Sequence, residues 1–112
     1  IKIKESEILI LGITFKENCP DVRNTKVVDL ITALKQYGVN ITIYDPWANE
    51  KVVFEEYNLI SVKELPKEKF DTIVLSVAHD KFKNIDLSIF KKQNSIIYDV
   101  KGILGEKADA KL

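Results

Sequence analysis

"EILILGITFKENCPDVRNTK", residues 7–26, holds the passage from a strand to a helix on which the fold of this chain turns. Residues 7–13 form a continuous apolar run rich in β-branched side chains, bounded by charge on one side and a polar loop on the other. That is the pattern of a strand buried on both faces. Beyond the loop, Val27, Leu30, Ile31 and Leu34 recur at helical spacing, with Asn24 and Thr25 as N-cap candidates and Gly38 placed as the C′ residue. The loop between them, residues 14–23, is longer than the roughly 2 to 6 residues usual for such a connection. Nucleotide-binding α/β proteins place a glycine-rich turn here, yet residues 13–26 contain no glycine.

The same alternation continues outward. A second strand is predicted over 39–45 and, after a short helix opened by Pro46, a brief one over 59–62. "FDTIVLSV" (70–77) reads as another buried strand, residues 80–93 as one or two short helical pieces, and "SIIYDV" (95–100) as a last strand. The polar residues 105–112 read as a frayed tail. Strands alternating with helices predict an α/β, Rossmann-like three-layer domain, with a mainly parallel sheet of about five strands and helices on both faces. Ligands of such sheets bind outside the carboxyl ends of the strands, near the point where the strand order reverses.

At 112 residues with 46% hydrophobic content, the chain suits one domain, residues 1–112, with one core. Lys plus Arg (17) balances Asp plus Glu (17), so no overall field draws it toward nucleic acid or an anionic membrane. An anion site must then be local. The single cysteine, Cys19, excludes an intramolecular disulfide and a multi-cysteine metal site and fits a reducing, cytoplasmic setting. Neither a membrane-spanning run nor a signal-peptide layout is present in the sequence given, and its opening on Ile1 suggests a piece of a longer protein.

The strand ends supply the candidate site residues. Lys16 leaves the first strand toward the start of the helix, and Arg23 sits at that start, where free N–H groups and the dipole favour an anion. Both cations also have carboxylates beside them, Glu17 and Asp21, so solvated or paired side chains are the other reading. Lys101 follows the last strand in "YDVKG" and adds a third cation at the same edge. Asp45 stands where a dinucleotide-binding fold places an acid for the ribose hydroxyls. Without the glycines, though, Asp45–Pro46 reads better as a turn and cap. Cys19 has no evident base, since His79, the one histidine, lies on another strand end, either touching a ligand or capping a loop.

Taken together, "LGITFKENCPDVRNT", "IYDPWA", "FDTIVLSVAHDKF" and "IIYDVKG" resemble the C-terminal domain of the UDP-glucose/GDP-mannose dehydrogenase family, over roughly residues 7–104. The resemblance implies an NAD-dependent enzyme that oxidises the C6 hydroxyl of a UDP-sugar to a carboxylate. It also implies that the catalytic cysteine and the main NAD site lie outside this chain, in an N-terminal domain joined through a central helical, dimerising region. No catalytic residue is expected here and no metal. By the family's motifs, Phe15 and Lys16 are implied to bind the sugar nucleotide and Arg23 to reach toward NAD. Lys101 takes the place of a substrate-binding arginine, keeping the charge without the bidentate geometry. "VAHDKF" and "DVKG" are more similar to the enzymes of UDP-N-acetylhexosamines than to those of UDP-glucose. The competing reading is a stand-alone, non-catalytic nucleotide- or anion-binding module.

Overall fold

The computed structural model describes residues 5–102, 104 and 108–111. Its elements follow in the order β1 (Glu7–Leu11), α1 (Val27–Lys35), β2 (Asn40–Tyr44), α2 (Glu50–Tyr57), β3 (Ser61–Val62), β4 (Phe70–Leu75), α3 (Asp80–Lys83), a 3₁₀ turn (Leu87–Phe90), β5 (Lys91–Asp99) and β6 (Ala110–Lys111). The six strands form one sheet in the order β3-β2-β1-β4-β5-β6. Every pairing is parallel.

Period-two alternation along the strands divides the core between two faces. Ile8 and Ile10 of β1, Ile43 of β2 and Val74 of β4 meet Ile31 of α1 and Val53 of α2 on one side. Leu9 and Leu11 of β1, with Ile73 and Leu75 of β4, meet Phe82, Leu87 and Phe90 on the other. The continuous apolar run of β1 is the consequence, because a central strand covered on both faces has no polar side. Each fully buried Leu, Ile or Phe contributes about 1.5–3 kcal/mol relative to an exposed one.

The expected α/β architecture with helices on both faces is present, and several boundaries differ from the sequence reading. Pro46 does not open α2. The Asp45 carboxylate bends the chain there by accepting from the N–H groups of Trp47 and Ala48, and α2 starts at Glu50 with Asn49 as its N-cap, whose Oδ1 accepts from Lys51 and Val52. Helix α1 begins after Lys26 rather than at Asn24 or Thr25, although Thr25 Oγ1 accepts from Val27 N–H. Strand β5 begins four residues earlier than expected, at Lys91 rather than Ser95. The predicted fraying of 105–112 fails for its described part: β6 pairs with β5, Asp109 N–H donates to the Ile97 carbonyl, and Asp109 Oδ2 accepts from Ile97 N–H. Residues 105–107 and 112 lie outside the described residues.

Candidate functional site

Strand β1 is flanked by β2 on one side and β4 on the other, so the order reverses between β1 and β4. Gly12 leaves β1 at φ +98°, and a Cβ there would stand 2.6 Å from Val77 Cβ. Glycine is needed here for close approach of two chain segments, a different use from admitting a phosphate. The loops after β1, β4 and β5 then border one cleft of about 340 Å³, lined by Thr14–Glu17, Asn24–Val27, Leu30, Ser76–Val77 and Val100–Lys101.

Phe15, Lys16 and Lys101 all line this one cleft. Neither lysine ammonium has a hydrogen-bond or carboxylate partner among the described residues. Phe15 is 57% exposed beside them, and the N-terminal residues of α1 close the rim. Two cations, a helix start, an exposed aromatic ring and an apolar wall of Val27, Leu30, Val77 and Val100 suit an anionic group attached to a flat or apolar one.

Arg23 is not part of this cleft. Its guanidinium donates twice to Asp21, from Nε to Oδ1 at 3.1 Å and from the terminal nitrogen to Oδ2 at 3.3 Å, with the side chain 78% exposed. Those hydrogen bonds hold the Asp21 carboxyl below its ordinary value and raise Arg23 above its own. Arg23 instead borders a separate surface depression with Asp29, Glu56 and Tyr57. The paired reading of the loop cations is right for Arg23 and does not apply to Lys16. The Tyr57 hydroxyl donates to the Val22 carbonyl, tying this half of the loop to α2.

Asp45 is fully buried and belongs to the loop's interior. Oδ2 accepts from Ile13 N–H at 2.7 Å and Thr14 N–H at 3.1 Å, and Oδ1 from Trp47 and Ala48. Burial pushes its carboxyl upward, but the hydrogen bonds from His79, Ile13 and Trp47 outweigh this, leaving it below the ordinary value. With every lone pair directed inward it cannot take a ribose, and the loop lacks the glycines a pyrophosphate needs. The residues of this chain therefore do not fit the principal dinucleotide role.

His79, read from sequence as touching a ligand or capping a loop, is also fully buried. Asn18 N–H donates to Nδ1 at 2.8 Å, so the ring holds its one proton at Nε2, which faces Asp45 Oδ2 at 3.1 Å and Thr14 Oγ1 at 3.2 Å. The Thr14 hydroxyl donates onward to the Lys16 carbonyl at 2.9 Å. Because the hydroxyl and the carboxylate share one ring nitrogen, the trio is no nucleophilic relay, which requires them on opposite nitrogens. The only legible signal was position: Asp45 directly follows β2, and His79 stands four residues beyond the end of β4. Asp99 plays a similar part at the end of β5, with Oδ1 accepting from Lys101 and Gly102 and Oδ2 from Leu104.

Cys19 is partly exposed and free, and the described residues contain no cluster of acidic, histidine or cysteine side chains able to hold a metal. No helix among them is long and apolar enough to cross a membrane.

Comparison with known proteins agrees with this geometry. The chain is 40% identical over its whole length to UDP-N-acetyl-D-glucosamine 6-dehydrogenase of Salmonella typhi and 38% identical to that of Pseudomonas aeruginosa. It spans 27% and 28% of those relatives' own length. Among solved structures, NDP-N-acetyl-D-galactosaminuronic acid dehydrogenase from Methanosarcina mazei superposes at TM-score 0.79 with 19% identity, over 91% of this chain and 22% of that one. The UDP-D-ManNAc dehydrogenase from Pyrococcus horikoshii gives 0.75 at 22% identity, over 99% and 26%. These two likenesses concern the fold. Residues 9–106 match the model of the UDP binding domain of the UDP-glucose/GDP-mannose dehydrogenases, and the chain belongs to that family.

Proposed function

We propose that this chain is the substrate-binding part of an NAD-dependent UDP-sugar 6-dehydrogenase, acting on a UDP-N-acetylhexosamine or UDP-glucose. The observation that carries the reading is the convergence on one cleft, at the reversal point of the sheet, of two ammonium groups, Lys16 and Lys101, that have no partner among the described residues. A diphosphate seated between them gains charge-assisted hydrogen bonds from both. Phe15 offers its ring to the base or sugar, and the apolar wall of Val77 and Val100 excludes water beside it. Arg23, exposed and outside the cleft, is proposed to face an NAD held by a neighbouring domain. Hydride acceptor and nucleophile lie outside this chain in this reading, so it contributes binding and orientation. A cytoplasmic enzyme of at least two subunits, in contact with its own N-terminal and central domains, completes the proposal.

The identity of the relatives favours the N-acetylhexosamine branch. The test is to supply the protein that carries this chain with NAD and, in turn, UDP-N-acetylglucosamine, UDP-N-acetylmannosamine, UDP-N-acetylgalactosamine and UDP-glucose, following NADH absorbance. Two NADH formed per UDP-N-acetylhexosamine is the expected result. Reduction of NAD by none of the four, with UDP still bound by the protein, favours the stand-alone binding module.

A further inference from the structure

We infer that His79 is a positioning residue for Lys16: it fixes the backbone on both sides of that lysine and so sets where the ammonium meets the diphosphate. The inference rests on the reading of the cleft as a UDP site and adds to it a residue outside the ligand's reach. Lys16 stands on the longest loop of the sheet's carboxyl edge, and its own side chain has no partner among the described residues to hold it. What holds it is the main chain. Upstream, Thr14 N–H donates to Asp45, and the Thr14 hydroxyl bridges His79 Nε2 to the Lys16 carbonyl. Downstream, Asn18 N–H ends on His79 Nδ1, while Asn18 Oδ1 accepts from Asp80 N–H.

One imidazole thus receives both flanks of Lys16, and its own position is fixed by Asp45 and by edge contact with Phe82, ring centroids 5.2 Å apart. Asn18 sits at φ +55°, a left-handed conformation that asparagine adopts more readily than most residues, and its N–H and side-chain oxygen are both tied to the His79–Asp80 segment. Removing the acceptor at Nδ1 takes away one of the bonds that hold it there. Lys101 hangs from a different strand and is anchored by Asp99, so it stands outside this arrangement. The assignment therefore predicts coupling to Lys16 and none to Lys101.

The isosteric amides separate the two ring nitrogens. His79→Asn can offer Oδ1 to Asn18 N–H in place of Nδ1 but loses the donor to Asp45, whereas His79→Gln can keep the donor and loses the acceptor. UDP affinity of the protein carrying this chain is measured by calorimetry for both variants, alone and combined with Lys16→Ala or Lys101→Ala, beside the melting temperature of each. Val53→Ala, in the core cluster on the opposite face of the sheet from Phe82, serves as a control that loses packing without removing a hydrogen bond to the loop.

The expected result is UDP binding weakened about tenfold in His79→Gln, no further loss in the Lys16→Ala background, and simple additivity with Lys101→Ala. Val53→Ala is expected to melt earlier with unchanged affinity. Should the histidine variants not fold, Thr14→Val, which removes only the hydroxyl bridge, is expected to lose affinity in the same Lys16-dependent way. Unchanged affinity in folded variants, or losses that add fully to that of Lys16→Ala, overturns the assignment alone. An ineffective Lys16→Ala overturns the UDP reading together with it.

Discussion

Asp45 and His79, 34 positions apart in the chain, meet at 3.1 Å with both side chains entirely removed from solvent. The carboxylate also takes four backbone N–H groups, two from the loop after β1 and two from the turn after β2. A buried charge is tolerated only when so fully hydrogen-bonded, and its removal orphans every donor at once. Asp45→Ala is expected to cost about 3–5 kcal/mol of stability, read from urea unfolding. A loss below about 1 kcal/mol, the size of a single neutral hydrogen bond, would contradict this account.

The same carboxyl makes stability depend on pH. Its folded value lies below its unfolded one, so its contribution is complete above the unfolded range, about 3.9 for aspartate, and is lost as pH falls through the folded value. Melting temperature should fall on the acid side below about pH 4, and Asp45→Asn should flatten that limb.

Gly12→Ala is expected to destabilise the fold by about 3 kcal/mol, combining a left-handed backbone with a Cβ forced against Val77. Adding Val77→Ala removes the more distant Cγ2 contact at 2.9 Å but leaves the 2.6 Å approach to Cβ, so it should restore only part of the loss. Full recovery would show that φ costs nothing there.

Lys16→Ala and Lys101→Ala are each expected to weaken UDP binding about tenfold and to reduce its salt dependence, with melting temperatures unchanged because neither ammonium has a partner among the described residues. Isothermal titration at two ionic strengths measures both effects.

Arg23→Ala is expected to raise the KM for NAD more than that for the UDP-sugar. Since its pairing with Asp21 is exposed, the variant should fold as well as the parent. An unaltered NAD requirement would remove Arg23 from the cofactor's neighbourhood.

Much of the architecture was legible because β1 and β4 are apolar on both faces and α1 repeats its apolar residues at helical spacing; those patterns are local. The cleft lysines were legible through their places at strand ends and through family motifs. What escaped reading is what depends on distant partners. The Asp45 to His79 bond joins segments that no spacing connects. Strand β6 is two residues long and gains its stability from β5 and from Asp109, not from its own composition. Pro46 misled because the bend that Asp45 caps over residues 46–48 stops short of a helix, and α2 opens only at Glu50 under its own cap, Asn49.

The loops holding Lys16 and Lys101 are both shaped by a buried aspartate that grips main-chain N–H groups: Asp45 after β2 and Asp99 at the end of β5. Every amino acid but proline carries a main-chain N–H, so these aspartates hold each loop without calling on the side chain of Lys16 or of Lys101. Recognition chemistry and loop geometry are in this way separately mutable. The side chain at 101 is therefore open to exchange, and the sheet edge can change the chemistry it displays without changing how it folds.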